Sequence, residues 1–299
     1  MGSLDGRVAI ITGAGRGLGR EHALLFASEG AKVVVNDLGG AVDGSGDDRT
    51  AAELVADEIR SLGGEALSNS DDVTSWEGGR RLVQAAVEAF GDLHVLVNNA
   101  GILRDKMLVN MSEDEWDSVI YVHLKGHFVP TRHAAAYWRE QAKAGHHVDA
   151  AVVNTSSTSG LLGNPGQTNY GAAKGGIWGF SNVLAIEGRK YNIRLWCLAP
   201  GALTRMTADL PRYKENPGAA LGPGGIAPAV LYMVSELSGD QTGKVLGVSG
   251  PRGIREMRMM EMEGWSPPFT GWKAEDIVSH AKEIFFSEEE LKKSARRFR

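Results

Sequence analysis

Residues 8–19 read Val8-Ala9-Ile10-Ile11-Thr12-Gly13-Ala14-Gly15-Arg16-Gly17-Leu18-Gly19. A short apolar run ends in a cluster of glycines, and Arg20 to Ser28 continues as a helix. Glycines between a strand and a helix let backbone N–H groups approach a pyrophosphate at the positive end of the helix. Taken alone the pattern also suits a plain tight turn, so its surroundings decide. The run Lys32-Val33-Val34-Val35 gives a second strand, and Asp37 follows it, 18 residues beyond Gly19. A carboxylate there accepts hydrogen bonds from the adenine ribose hydroxyls and repels a 2′-phosphate. Gly13, Arg16, Gly17, Leu18, Gly19 and Asp37 are therefore expected to hold NAD, with NADP the weaker alternative. Arg16 pulls the other way, because a cation beside the ribose attracts a phosphate. Its competing reading, a solvent-facing turn residue, is the stronger one.

The same grammar repeats along the chain. Val95-Leu96-Val97, Ala151-Val152-Val153, Ile193-Arg194-Leu195-Trp196 and Val245-Leu246-Gly247-Val248 are further strands, with a weaker third strand around Glu65 to Ser68. Such continuous apolar runs belong to parallel strands buried on both faces. Helical stretches such as Ala51 to Ser61 and Glu77 to Phe90 lie between them. The expected fold is α/β, a doubly wound Rossmann-like parallel sheet over residues 1–250, with Val245 to Val248 ending the sheet. Ligands would gather at the carboxyl edge of the strands. Residues 251–299 are expected to be a C-terminal helical extension packed on that domain, with a helix over Lys273 to Phe285 and an N-cap at Ser287-Glu288-Glu289-Glu290. Leu38 to Arg49 is a Gly/Asp-rich loop longer than the usual connection of about 2–6 residues. Met206 to Gly225 mixes Pro, Gly and charge, as a lid would.

Bulk composition narrows the class. The 299 residues include 42% hydrophobic and 23% charged side chains, ordinary values for a globular protein. A net charge of −5 argues against binding a phosphate backbone. The single Cys197 excludes an internal disulfide and reads as a small buried hydrophobe. No apolar stretch spans a bilayer and no signal peptide is evident. The chain ends Arg297-Phe298-Arg299, which is not a recognised peroxisomal address, so a cytoplasmic location is expected.

Two further groups carry chemistry. After the third strand, Asp71-Asp72-Val73 could offer an acceptor to the adenine amino group from Asp72, or cap the helix near Ser75. After the fourth, Asn98-Asn99-Ala100-Gly101 is small enough for close backbone approach. Asn99, Ala100 and Gly101 are expected to line the cofactor, and Asn98 to tie strands together. Ser157 follows the strand that ends at Thr155. Tyr170 lies thirteen positions further on, with Lys174 one helical turn beyond it. Tyr170 and Lys174 as i and i+4 share one helix face. A free tyrosine, with a pKa of about 10, is a poor base near neutrality. A neighbouring ammonium and a nicotinamide charge would favour the phenolate. Ser157 would orient the reacting oxygen, and Lys174 would also hold ribose hydroxyls.

Thr12-Gly13-x-x-x-Gly17-x-Gly19, Asn98-Asn99-Ala100-Gly101, Ser157, Tyr170-x-x-x-Lys174 and Pro200-Gly201 occur together in this order. Over residues 5–250 the chain thereby resembles a short-chain dehydrogenase/reductase. The resemblance implies that Ser157, Tyr170 and Lys174 are catalytic, and that Pro200, Gly201 and Thr204 pass near the nicotinamide carboxamide. Many members carry an Asn where this chain has His123, and that Asn is thought to hold a relay water. His123 is thus a candidate relay residue, a helix-packing histidine being the alternative. His123 and His127 form an i, i+4 pair with no third ligand, so no metal site is expected. Val35 to Gly40, Gly101 to Asp105, His123 and Gly163 to Tyr170 resemble the (3R)-hydroxyacyl-CoA dehydrogenase domain of peroxisomal multifunctional enzyme type 2, whose family includes 17β-hydroxysteroid dehydrogenase type 4.

The expected activity is NAD-dependent interconversion of a secondary alcohol and a ketone, on a 3-hydroxyacyl-CoA or a hydroxysteroid. Leu161, Leu162, Met206 and Leu210 would offer it apolar surface. An NADPH-dependent carbonyl or 3-oxoacyl reductase is one alternative and a non-catalytic nucleotide sensor another. Family analogy alone suggests a homodimer or homotetramer.

Overall fold

The computed structural model describes residues 2–46, 50–204, 206–207, 221–250, 252–259, 264–265, 273–285 and 287. Strand β1 (Val8–Thr12) leads through α1 (Gly17–Ser28) to β2 (Lys32–Asn36), then α2 (Thr50–Ser61) and β3 (Glu65–Asn69). Helix α3 (Trp76–Phe90) precedes β4 (Val95–Asn98). Helix α4 (Glu113–Ile120), a π-helical turn (Tyr121–Lys125) and α5 (Gly126–Lys143) lead to β5 (Ala150–Thr155). A short α6 (Ser159–Leu162) and the long α7 (Thr168–Gly188) follow. The rest is β6 (Ile193–Gly201), α8 (Ala227–Val234), β7 (Lys244–Ser249) and β8 (Gly253–Met257).

The eight strands lie in the order 3-2-1-4-5-6-7-8. Every pair is parallel except β7 with β8. The apolar runs have a plain cause. Along β1, Ala9 and Ile11 enter one core with Phe26, Val55, Ile59 and Val230. Val8 and Ile10 enter the opposite core with Leu82, Ala86, Ala134 and Trp138. Successive side chains of a strand point to opposite faces, so a sheet covered on both sides has no polar positions to spare.

β8 is the correction to the expected sheet. Val245 to Val248 does not end it: Gly253–Met257 adds an antiparallel edge strand, with Val245 opposite Met257. The compact sheet unit accordingly runs to Met257, and Arg258 onward is a separate unit. Within that second unit the expected single helix over Lys273 to Phe285 is two short ones, α9 (Ala274–Ser279) and α10 (Ala281–Ile284). His280 lies between them and stacks on Trp265 at 3.9 Å. Leu210, Trp272 and Glu288 to Glu290 lie outside the described residues, as does most of the expected lid.

Strand order reverses direction at β1, which has β2 on one side and β4 on the other. The loops after β1 and β4 therefore diverge and leave a crevice, the place where open α/β sheets take ligands. None of the helices, among the described residues, is long and apolar enough to cross a membrane.

Candidate active site

The crevice is a cleft of ≈ 220 Å³. Its floor is the turn after β1. Gly13 (φ +62°) and Gly17 (φ +57°) adopt the left-handed conformation that glycine tolerates. A Cβ on Gly13 would stand 2.7 Å from Ala100 Cα, and one on Gly19 would stand 2.3 Å from Gly13 O. The first position lets the turn lie against the β4 end, and the second lets α1 pack directly beneath it. Thr12 fastens the two ends together, its Oγ1 accepting from the N–H groups of Asn99 (3.0 Å) and Ala100 (3.1 Å). Asn99 Nδ2 donates to Thr12 O and Gly13 O. Asn99 is thus a brace for the turn as well as part of the cleft wall. The sequence placed Thr12 at the head of the glycine motif, without this bracing role.

The cradle suits a nucleotide. Gly13, Arg16, Gly17, Leu18, Asp37, Asp72, Val73, Asn99, Ala100, Gly101 and Thr204 all line it. Gly19 sits under the turn, and Pro200 and Gly201 form the end of β6. Asp37 directly follows β2 with its carboxylate spoken for: Oδ2 accepts from Gly15 N (2.8 Å) and Oδ1 from Gly39 N (2.7 Å). The negative charge stays on the cleft wall while the turn is held open around it. Arg16 reaches Gly40 O at 3.4 Å. Asp72 Oδ1 accepts from Thr74 N and Oγ1, both at 2.8 Å, while the α3 cap is Ser75. Asn98, fully buried, links β4 to Asn154 and Thr131 at 2.8 Å each.

The loop after Asp37 forms the outer wall, a role its composition did not announce. Leu103 N donates to Val42 O (2.8 Å), and Arg104 Nε donates to Asp43 O (2.9 Å). Arg104 also pairs with Asp114. The β2–α2 loop is therefore clasped to the segment that follows β4. Local turn bonds shape the loop, but these bonds to Leu103 and Arg104 join it to a distant segment, which no pattern within residues 38–46 announces.

The chemistry-bearing residues do not themselves line the cleft; they adjoin its Gly101 and Ile102 wall, which His123 touches. Ser157 lies two positions past β5, and its Oγ accepts from Ser159 N at 3.1 Å. Tyr170 and Lys174 come from the first turns of α7, and Lys174 Nζ stands 5.5 Å from the Tyr170 ring centre. Lys174 is buried and donates to Thr155 O at 2.6 Å. His123, from the π-helical turn, has Nε2 2.8 Å from Ile102 O. The four candidates, Ser157, Tyr170, Lys174 and His123, are brought together.

Their charge states differ from what spacing suggested. Burial pushes the Tyr170 phenol up to about 12; a hydrogen bond from Ser157 lowers it and the Asp105 charge raises it further. Burial brings Lys174 down to about 7, so its ammonium is only partly present at neutrality. Burial first, and then Lys174, hold His123 and His127 well below the usual imidazole range, both neutral. The chain by itself thus keeps Tyr170 as a phenol. Cys197 is buried as expected, its Sγ 3.5 Å from Ser181 Oγ.

A doubly wound sheet with a glycine cradle at its switch point and a Ser–Tyr–Lys set beside it defines a nucleotide-dependent oxidoreductase. Residues 7–215 match the short chain dehydrogenase family, and the chain belongs to it. It is 47% identical over 247 residues to the peroxisomal multifunctional enzyme type 2 of Drosophila melanogaster, covering 82% of this chain and 39% of that enzyme. It is 39% identical over 293 residues to the hydroxyacyl-CoA dehydrogenase ChsB1 of Mycobacterium tuberculosis, covering 94% of this chain and 89% of that one. A crystal structure of a short chain dehydrogenase from Mycobacterium avium superposes with a TM-score of 0.83 at 44% identity, covering 95% and 98% of the two chains. The chain is an oxidoreductase that acts on CH–OH groups with a nicotinamide cofactor.

Proposed function

We propose that this chain is an NAD-dependent 3-hydroxyacyl-CoA dehydrogenase. Asp37 carries the cofactor choice, because its carboxylate on the cleft wall opposes a 2′-phosphate. Likeness to a hydroxyacyl-CoA dehydrogenase over 89% of that protein's length supports the substrate class. A bound nicotinamide supplies the hydride acceptor for the carbinol carbon.

The chain's own residues handle the proton and the oxygen. Tyr170 takes the hydroxyl proton of the alcohol, or returns it to the alkoxide in reduction. Ser157 holds the reacting oxygen within reach of Tyr170. Ser159 N occupies one lone pair of Ser157 Oγ, so the hydroxyl proton that bonds Tyr170 in this structure is the one that turns to the reacting oxygen. Lys174, anchored on Thr155 O, supplies positive charge behind the phenol and donors for ribose hydroxyls. His123 stands beside Tyr170 as a neutral hydrogen-bonding group.

Initial rates with a 3-hydroxyacyl-CoA and with a 17β-hydroxysteroid, each with NAD and NADP, test this. The expected result is NAD-dependent turnover of the thioester above that of the steroid. Preference for NADP would overturn the role given to Asp37, and preference for the steroid would overturn the substrate class.

A further inference from the structure

The segment from Ile102 to Lys106 passes from the cleft to the start of α7, and it carries an acid that the proposed chemistry leaves unused. Asp105 Oδ2 accepts from Gln167 Nε2 at 2.6 Å. Gln167 is buried just ahead of α7. Its Oε1 accepts from Ser159 Oγ (2.8 Å) and from Asn164 Nδ2 (2.9 Å). Two donors on that oxygen fix which way the amide faces, so its NH₂ must find an acceptor on the other side. Asp105 is that acceptor. Ser159 in turn donates its backbone N–H to Ser157 Oγ. The supporting backbone is pinned, with Lys106 N on Gly166 O (2.8 Å) and Asn169 Nδ2 on Arg104 O (3.0 Å).

We propose that Asp105 and Gln167 are positioning residues of this site: Asp105 holds the Gln167 amide, which fixes Ser157 through Ser159, and the Asp105 carboxylate, bonded to Gln167 three residues ahead of Tyr170, puts a negative charge at that end of α7. This rests on the roles given above to Ser157 and Tyr170.

Among the described residues, few charged or titratable groups surround Tyr170. Lys174 lies on its own helix, Asp105 on the segment after β4, and His123 on the π-helical turn. Helix α4 also packs on α7 and brings Glu115, whose carboxylate is turned to Ser112 N and Lys106. His123 is neutral. Burial and the Asp105 charge raise the Tyr170 phenol while the bond from Ser157 lowers it, and Asp105 thereby favours the protonated form needed to donate a proton in reduction. Partial burial raises the Asp105 carboxyl, and the bond from Gln167 counters this.

The test is the pH dependence of the wild type, Asp105→Asn and Gln167→Leu as full-length chains, in both directions. Asp105→Asn keeps an acceptor for Gln167 and removes the charge. Its rising limb in oxidation is expected to move to lower pH by about 0.5 unit, and the falling limb in reduction to move the same way. Gln167→Leu is expected to lose about tenfold in kcat while KM for the nucleotide stays within about twofold, because Ser157 loses its support and the cleft does not. An unmoved limb in Asp105→Asn, or full kcat in a folded Gln167→Leu, overturns the inference. Should Gln167→Leu fail to fold, the Asp105→Asn limb decides alone. Tyr170→Phe separates the two levels: retained activity there removes the reading of the whole site, whereas an inactive Tyr170→Phe with an unmoved limb removes only the positioning roles.

Discussion

The imidazole of His123 stands edge-on to the ring of Tyr170, with centroids 5.1 Å apart and planes at 90°. Gly101 makes room for it. A Cβ at Gly101 would lie 2.2 Å from His123 Cε1 and 2.9 Å from Nδ1. One methyl group therefore forces the imidazole out of place, and Tyr170 loses the neighbour that flanks it. Gly101→Ala is expected to lower kcat/KM about 100-fold, the scale of a misplacement of about 1 Å. Steady-state kinetics and far-UV circular dichroism check this together. Unchanged kinetics would show that His123 plays no part in setting Tyr170.

Asp37 makes a second case. Its two oxygens each hold a backbone N–H, so replacing it with a residue that cannot accept would disturb the turn as well as the charge. Asp37→Asn removes the charge and keeps one of the two acceptors, so it disturbs the turn less than a residue with no acceptor would. The ratio of kcat/KM with NAD to that with NADP is expected to fall tenfold or more, about 1.4 kcal/mol in differential binding. A ratio that does not move would place cofactor selection elsewhere, with Arg16 the next residue to change.

How far the sequence carried the structure depends on what sets each feature. The parallel strands were legible because burial on both faces leaves continuous apolar runs, as in Val33-Val34-Val35. Ser157, Tyr170 and Lys174 were legible because spacing alone puts the last two on one face. β8 escaped because Gly253-Ile254-Arg255-Glu256-Met257 buries only Met257 and exposes Ile254. An edge strand of that kind lacks the apolar run that marked the others. The clasp of residues 38–46 escaped because distant partners, Leu103 and Arg104, fix it. Charge state escaped for the same reason: the i, i+4 spacing of Tyr170 and Lys174 says nothing of the burial that keeps the phenol protonated and brings the lysine toward neutrality.

That burial gives Lys174 opposite effects on stability and activity. Its pKa falls from 10.5 to about 7 on folding, so the folded chain binds its proton less tightly than the unfolded chain does. Between those values the unfolded state holds the extra proton, and stability due to this residue rises with pH. Below about 7 the full cost of burying the charge is present. Lys174→Met removes that cost, worth on the order of 5 kcal/mol, and fills much the same volume. Urea denaturation at pH 6 is expected to show a higher midpoint for Lys174→Met than for the wild type, with the gap closing toward pH 10. Dehydrogenase activity is expected to fall sharply in the same variant. A variant less stable than the wild type at pH 6 would mean that the bond to Thr155 O outweighs desolvation.

The three most deeply buried histidines contribute most to the acid limit of the fold. Neither ring nitrogen of His22 has a hydrogen-bond partner, and burial lowers its pKa to about 3. His123 and His127 are likewise neutral, held well below 6.5. Each depressed pKa means that the unfolded chain binds a proton which the folded chain refuses. Their contribution to stability is therefore intact above the unfolded value of about 6.5 and is lost as pH falls below it. With all three refusing a proton, the slope approaches about 4 kcal/mol per pH unit below pH 6. Thermal unfolding followed from pH 7.5 to pH 5 is expected to show Tm falling most steeply below pH 6.5. His22→Leu, on α1 three residues beyond Gly19 and with no polar partner to lose, is expected to flatten that slope by about a third. A Tm that holds level down to pH 5 would mean that these imidazoles take up protons inside the fold, and that the neutral form assigned to His123 beside Tyr170 is wrong.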